Sequence, residues 1–184
     1  MAQTATVSAW VMDCQTSDKR LPHKPEPSEA FSVADLSLLG VQCLKMDPDN
    51  YENQLNRFRR LRGYNFKDEL IISKDALPNF EEQNEIFYQE HLHPDDEVRF
   101  ILDGSGYFDV RDKKDRWVRI EISRGDLLIL PAGIYHRFTL DPKEYIKAIR
   151  LFQGVPEWTP YNRPADHMNS RKAYVREYID CIED

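Results

Sequence analysis

The sequence predicts a mainly β protein, a sandwich or barrel of short antiparallel strands with several short helices packed outside it. Two observations carry this. From residue 96 onward, runs rich in Val, Ile, Phe and Tyr recur every eight to twelve residues, separated by "DGSG", "DKKD", "RGD", "PAG" and "DPKE". Before residue 90 the signals are helical or irregular instead, so the helices belong mostly to the N-terminal half.

The elements follow in order. "AWVMD" reads as a short strand, and the first eight residues as a flexible leader without the basic and apolar regions of a secretory signal. "DKRLPHKPEPSEAF", residues 18–31, carries three prolines among charges and reads as a surface loop. "SVADLSLLG" predicts a helix with Ser32 as N-cap and Gly40 as its stop. "DNYENQLNRFRRLRG" predicts a longer one, with Tyr51, Leu55, Phe58 and Leu61 on its apolar side and Gly63 closing it. "NFEEQNEIFYQE" supplies a third helix, with Phe80, Ile86 and Phe87 facing inward. Six strands follow at 97–102, 105–111, 116–122, 126–130, 134–140 and 145–152, and a closing helix spans 169–181. The chain of 184 residues is expected to be a single domain: a leader (1–8), a helical and irregular part (9–89), a β core (90–152) and a tail (153–184).

Composition excludes several function classes. A net charge of −7 argues against nucleic acid as a partner, since phosphate binding needs a concentrated basic face. The one basic run, "RFRRLRG", alternates with apolar residues at helical spacing and reads as a solvated helix face. No stretch approaches the roughly 18 apolar residues of a membrane span. Cys14, Cys43 and Cys181 are odd in number and far apart, which fits a reducing compartment and no cysteine-based metal site. The expectation is a cytoplasmic monomer, with nuclear entry left open.

The chemistry concentrates in "EHLHPDDEVRF". His91, His93, Glu97 and Arg99 are all odd-numbered, so in extended backbone they project on one face. Two histidines separated by one residue stand roughly 7 Å apart at the backbone, a span that two rings can close on one ion. A further donor is His136 in "PAGIYHRFTL", where Ile134, His136, Phe138 and Leu140 share a face directed into the interior. Alone, an inward histidine is usually just a hydrogen-bonded core residue. Together, three imidazoles and one carboxylate suit Fe(II), Mn(II), Ni(II) or Co(II), and four ligands on an octahedral ion leave two positions for a chelating oxygen substrate. His23 and His167 lie in loop-like contexts and read as surface residues.

The spacing resembles the cupin pattern. Its first motif is met by His91, His93, Glu97 and Gly104, and its second by Gly125, Pro131, Gly133 and His136. Two positions depart from it: Glu85 stands where a glycine is frequent and Leu140 where an asparagine is. Neither is a ligand position. A closer resemblance, from about Ala9 to about residue 180, is to the acireductone dioxygenases of methionine salvage, carried by "YENQLNRFRRLRGYNF", "QEHLHPDDEVRFILDGSGYFDVRD", "DLLILPAGIYHRFTLD" and "WTPYNRPAD". It implies a cupin (double-stranded β-helix, jelly-roll) barrel with Fe(2+), or Ni(2+) as the alternative metal. The implied substrates are the enediol 1,2-dihydroxy-3-keto-5-methylthiopentene and O2. The iron form is expected to give 4-methylthio-2-oxobutanoate and formate, and the nickel form methylthiopropionate, formate and carbon monoxide. The resemblance carries His91, His93, Glu97 and His136 over as metal ligands and points to Arg99 and Asp96 as catalytic residues.

Physical argument favours Arg99, whose guanidinium is suited to an enediolate anion; the plainer role is an ion pair with Asp95, Asp96 or Glu97. Asp96 has the wrong parity to face the metal from extended backbone, so it either reaches in from a turn, holds a histidine, or is a solvated acid. Phe138 and Trp158 are the candidates for an apolar wall around the methylthio tail, against ordinary core packing for each. Two other functions compete: another metal cupin such as a sugar-phosphate isomerase, which would turn over without O2, and a partner-binding protein indifferent to loss of the metal.

Overall fold

The computed structural model describes residues 3–4, 7–13, 15 and 17–180. Cys14 and Cys181 lie outside the described residues; Cys43 is buried with a free thiol. The strands are β1 (Gln3–Thr4), β2 (Ser8–Val11), β3 (Gln42–Lys45), β4 (Phe66–Ile72), β5 (His91–Leu92), β6 (Glu97–Arg111), β7 (Trp117–Ser123), β8 (Asp126–Leu130), β9 (His136–Leu140), β10 (Ile146–Phe152) and β11 (Tyr161–Asn162). The helices are α1 (Val33–Leu38), α2 (Glu52–Arg62), α3 (Phe80–Tyr88) and α4 (Asn169–Tyr174), the last continuing as a π-helical segment, Val175–Ile179. No helix among the described residues is long and apolar enough to cross a membrane.

All strand pairings are antiparallel and fall into two sheets. One runs β1-β3-β8-β6-β10-β4, the other β2-β7-β6-β9-β5-β11, and β6 belongs to both. The first half of β6 pairs with β8 and β10, and Ser105 onward pairs with β7 and β9. "DGSG" therefore is not a turn between two strands, as the sequence suggests. It is a bend inside one 15-residue strand. Gly104 has φ 76, and a Cβ there would overlap the Tyr145 carbonyl. The ladder to β10 shifts register at Leu102, since Ile101 faces Ala148 and Asp103 faces Lys147. A bulge beside a positive-φ glycine bends a strand from one sheet into the next without ending its hydrogen bonding.

The bulge also changes which residues face inward. Before it, Ile101 lies in the core between the sheets while Val98 and Phe100 face outward into a second cluster. After it, Phe108 and Val110 turn inward. The outward cluster is covered by α2, through Leu55, Phe58 and Tyr51, with Tyr51 and Phe100 rings 5.1 Å apart.

Local chemistry explains the helices. Ser32 and Asp35 form a reciprocal capping box, and Gly63 closes α2 in the left-handed conformation. Leu61 and Ile86, expected on inner faces, are exposed; the apolar stripes they were assigned to are narrower, and α3 buries Asn84 with Phe80. Among the strands absent from the sequence expectation are β3 and β4 of the N-terminal half. "FKDELII" hides its period of two behind three charged residues, one of which, Asp68, pairs with Arg150 at 2.5 Å.

The 18–31 loop is pinned to the barrel. Arg119, fully buried, pairs with Asp109 at 2.7 Å and donates to the Lys19 and Leu21 carbonyls. His23 is not a surface residue: it is 6% exposed, with its ring held by Asp13 at 3.0 Å and the Asp18 carbonyl at 2.9 Å. A φ of 47 turns the backbone so that the ring points inward. His167 is exposed. Gln3–Thr4, inside the stretch expected to be a flexible leader, pairs with Leu44 and Lys45.

Candidate metal centre

Three elements deliver four side chains to one point. β5 and the turn after it carry His91 and His93, β6 begins at Glu97, and β9 begins at His136. His91 and His136 are direct cross-strand partners. One ligand atom from each of His91, His93, Glu97 and His136 lies within 4.8 Å of all the others. The Nε2 atoms of His93 and His136 each stand 3.3 Å from Glu97 Oε2. Two donors bound at right angles to one ion at ~2.1 Å would sit ~3.0 Å apart, so the observed spacing is close to a coordination edge.

The second nitrogens decide the chemistry. Nδ1 of His91 lies 2.6 Å from the Gln89 carbonyl, that of His93 3.0 Å from the Thr159 carbonyl, and that of His136 3.0 Å from the Ile134 carbonyl. A carbonyl oxygen only accepts, so each Nδ1 carries the hydrogen and donates it. Neutral rings held this way point Nε2 lone pairs at a carboxylate. Burial, reinforced by the neighbouring His136, pushes His91 down to about 3, so its ring is neutral at ordinary pH. Burial alone would raise Glu97, but the Arg99 guanidinium and the two histidines overcome it and hold the carboxyl well below its usual range. Four acceptors thus converge in a buried space, an arrangement that a cation resolves.

Arg99 follows on the same face, with Nη2 3.2 Å from Glu97 Oε1 and Nη1 donating to the Val98 carbonyl at 3.0 Å. The ion pair with Glu97 is therefore present. Arg99 and Glu97 are also the charged lining residues of an otherwise apolar pocket of about 60 Å³, lined by Phe138, Phe87, Ile101, Ile122 and neighbours. Leu70 and Ile72 of β4 and Ile146 of β10 complete the wall. Phe138 is packed edge-on against Phe87 at 6.3 Å and tilted against Phe108 at 5.0 Å.

Trp158 sits elsewhere. It is 38% exposed and packs on Phe152 at 5.6 Å and Phe66 at 6.2 Å, with the Arg150 guanidinium 4.0 Å and that of Arg99 5.8 Å from its ring. It borders the back of Arg99 rather than the apolar pocket. Asp96, in the turn before β6, accepts from the Tyr64 hydroxyl at 3.0 Å and the Ala132 amide at 3.1 Å. Neither bond involves a histidine.

A family model described as the ARD/ARD' family matches residues 8–160. The chain belongs to this family. Its relatives include acireductone dioxygenases of Rattus norvegicus, 55% identical, and Homo sapiens, 56% identical, each alignment covering 92% of this chain and 96% of the relative. Acireductone dioxygenase 1 of Arabidopsis thaliana is 48% identical over 97% of this chain and 90% of its own. Among solved structures, an acireductone dioxygenase from Bacillus anthracis with a cadmium ion in its active centre superposes with TM-score 0.69 at 24% identity, covering 86% of this chain and 99% of that one. That likeness shows the cupin barrel in this family member.

The carbonyls that orient the histidines are not visible in residue types. Thr159 lies in "WTPYNRPAD", a stretch in which the sequence marks similarity and, apart from Trp158, no candidate site residue. Its bond to His93, and the pairing of Tyr161 and Asn162 with Leu92 and His91, give that stretch a role: it buttresses the histidine pair.

Proposed function

We propose that this chain is an acireductone dioxygenase of methionine salvage, with His91, His93, Glu97 and His136 as the ligands of an Fe(II) or Ni(II) ion. The observation that supports the ligand set is the convergence of four acceptors, with each Nδ1 donating to a carbonyl. Held by these four side chains, such an ion would supply Lewis-acid and redox chemistry toward an enediolate and O2.

The chain's own residues do the rest. Arg99 stays protonated at any working pH and places a guanidinium in the lining of a mostly apolar pocket, where it offsets the enediolate charge. Phe138, with Phe87, Ile101 and Ile122, offers an apolar wall for the methylthio tail, which fixes the substrate's direction of entry. Trp158, stacked on Arg150 and near Arg99, bears on the tail only through the guanidinium it borders. The iron form would yield 4-methylthio-2-oxobutanoate and formate, and the nickel form methylthiopropionate, formate and carbon monoxide. All four proposed ligands come from one chain, so a monomer suffices, and the proposed setting is the cytoplasm.

The test is oxygen uptake with acireductone by protein stripped of metal and reloaded with Fe(II) or Ni(II), with the products identified. Stoichiometric O2 consumption and a product change between the two metals support the reading; turnover without O2 uptake points instead to an isomerase.

A further inference from the structure

The two turns that carry the metal ligands are bound to each other by neighbouring amides. The turn between His93 and Glu97 receives the Gly133 amide on the His93 carbonyl at 3.0 Å and the Ala132 amide on Asp96 Oδ1 at 3.1 Å. Ala132 and Gly133 belong to the "PAG" turn that delivers His136. Gly133 has φ 82, and a Cβ on it would overlap the Ser170 carbonyl, so this turn has little room to relax. The other oxygen of Asp96 accepts from the Tyr64 hydroxyl at 3.0 Å. Tyr64 is 5% exposed, stacked on Phe58 at 5.8 Å, and its carbonyl is held by Arg59 at 3.1 Å. Burial, then the Asp96 charge, pushes its phenol up, so it is protonated and donates.

We propose that Asp96 is a positioning residue that ties the His93–Glu97 turn to the His136 turn through the Ala132 amide and anchors both to the α2 packing through Tyr64. The proposal rests on the metal-ligand assignment above. It gives Asp96 no contact with substrate: the carboxylate's work is to hold Glu97 and His136 in register, because each lies a few bonds from an anchored atom. It also accounts for "RLRGYNF", a stretch of the resemblance that the metal site does not otherwise use. Gly63, in the left-handed conformation, reverses the chain so that Tyr64 enters the core beneath the metal turns.

The experiment uses the full chain loaded with Co(II), following the rate of Co(II) loss to a chelator and the visible Co(II) spectrum, with kcat and KM measured on the iron-loaded protein. Asp96→Ala loses both bonds and should release Co(II) on the order of tenfold to 100-fold faster, with an altered spectrum. Asp96→Asn keeps an acceptor for the Ala132 amide and turns its NH2 toward the phenol oxygen, so it should restore Co(II) retention to within about fivefold of wild type. Tyr64→Phe keeps the ring packing and should release Co(II) about fivefold faster, with no further loss when added to Asp96→Ala. In each variant kcat should fall in step with the Co(II) readout while KM changes little.

Asp96→Asn and Asp96→Ala equally depressed in kcat, with wild-type Co(II) retention, would overturn the proposal in favour of direct proton transfer by Asp96. Wild-type Co(II) retention in Tyr64→Phe would equally overturn the anchoring through Tyr64. Should Asp96→Ala fail to fold, Asp96→Asn and Tyr64→Phe decide on their own. A protein that shows this Co(II) series yet consumes no O2 with acireductone would sink the functional reading and leave the positioning role standing.

Discussion

Glu97 Oε2 and His136 Nε2 lie 3.3 Å apart although their residues are 39 positions apart in the chain. Both are the first residues of their strands, which pair antiparallel further along β6. With Nδ1 of His136 donating to the Ile134 carbonyl, neither atom of the pair has a hydrogen to offer the other. A cation shared by both atoms, as proposed above, would stabilise the contact as an edge of its coordination shell.

Replacing His93 or His136 by Ala removes one of the four proposed ligands. Metal affinity should fall by more than about 100-fold, a larger loss than outer partners of a ligand produce. Equilibrium dialysis with metal analysis checks this, and full metal content in either variant would count against the ligand set.

Arg99→Ala should retain the metal and lose about 10²- to 10³-fold in kcat, the usual cost of removing a donor aimed at developing negative charge. An unimpaired kcat would reduce Arg99 to the ion-pair partner of Glu97 seen at 3.2 Å.

Phe138→Leu tests the apolar wall while keeping most of the buried volume. KM for the methylthio substrate should rise several-fold, about 1 to 3 kcal/mol being available from one apolar contact group. A substrate analogue without the tail should show no change; an equal rise for both would mean that Phe138 only supports the fold.

Metal-stripped protein should lose stability in acid through His91. Its folded value is about 3 and its unfolded value near 6.5, so protons favour the unfolded chain between these limits. The contribution is complete above pH ~6.5 and declines as pH falls toward 3, by up to about 1.4 kcal/mol per pH unit. Chemical denaturation at a series of pH values checks this, and His91→Asn should flatten the slope relative to wild type.

Gly104→Ala should destabilise the fold by about 2 kcal/mol or more, because the position needs φ 76 and a Cβ would overlap the Tyr145 carbonyl. Thermal melting reads the change; an unaltered melt would mean that the bend in β6 tolerates a side chain.

The site was more legible in the sequence than the strand that carries it. Parity put His91, His93, Glu97 and Arg99 on one face, and that face is the one the fold directs inward. Parity ceases to hold at Leu102, where a bulge moves the inward set from odd to even residues, and a bulge is fixed by pairing with β10 that no local pattern reveals. For the same reason "DGSG" resembled a turn: Gly104 meets the demands of a turn and of a bend alike. β4 was concealed by Lys67, Asp68 and Glu69, which an edge strand tolerates: Lys67 and Glu69 are exposed, and Asp68, half-buried on the side of Phe66, Leu70 and Ile72, is paired with Arg150. His23 looked solvated among prolines and charges, and is buried because Arg119 draws the loop's carbonyls onto the barrel. The carbonyls that orient the three histidines carry no residue signature at all, since any residue type supplies one.

X-ray absorption or anomalous diffraction on the metal-loaded protein tests the central claim most directly. The account predicts a single ion about 2.0 to 2.2 Å from Nε2 of His91, His93 and His136 and from a Glu97 oxygen, with each Nδ1 still on its carbonyl. An ion held through Nδ1, an ion lacking His136 among its ligands, or no ion at this point would contradict it.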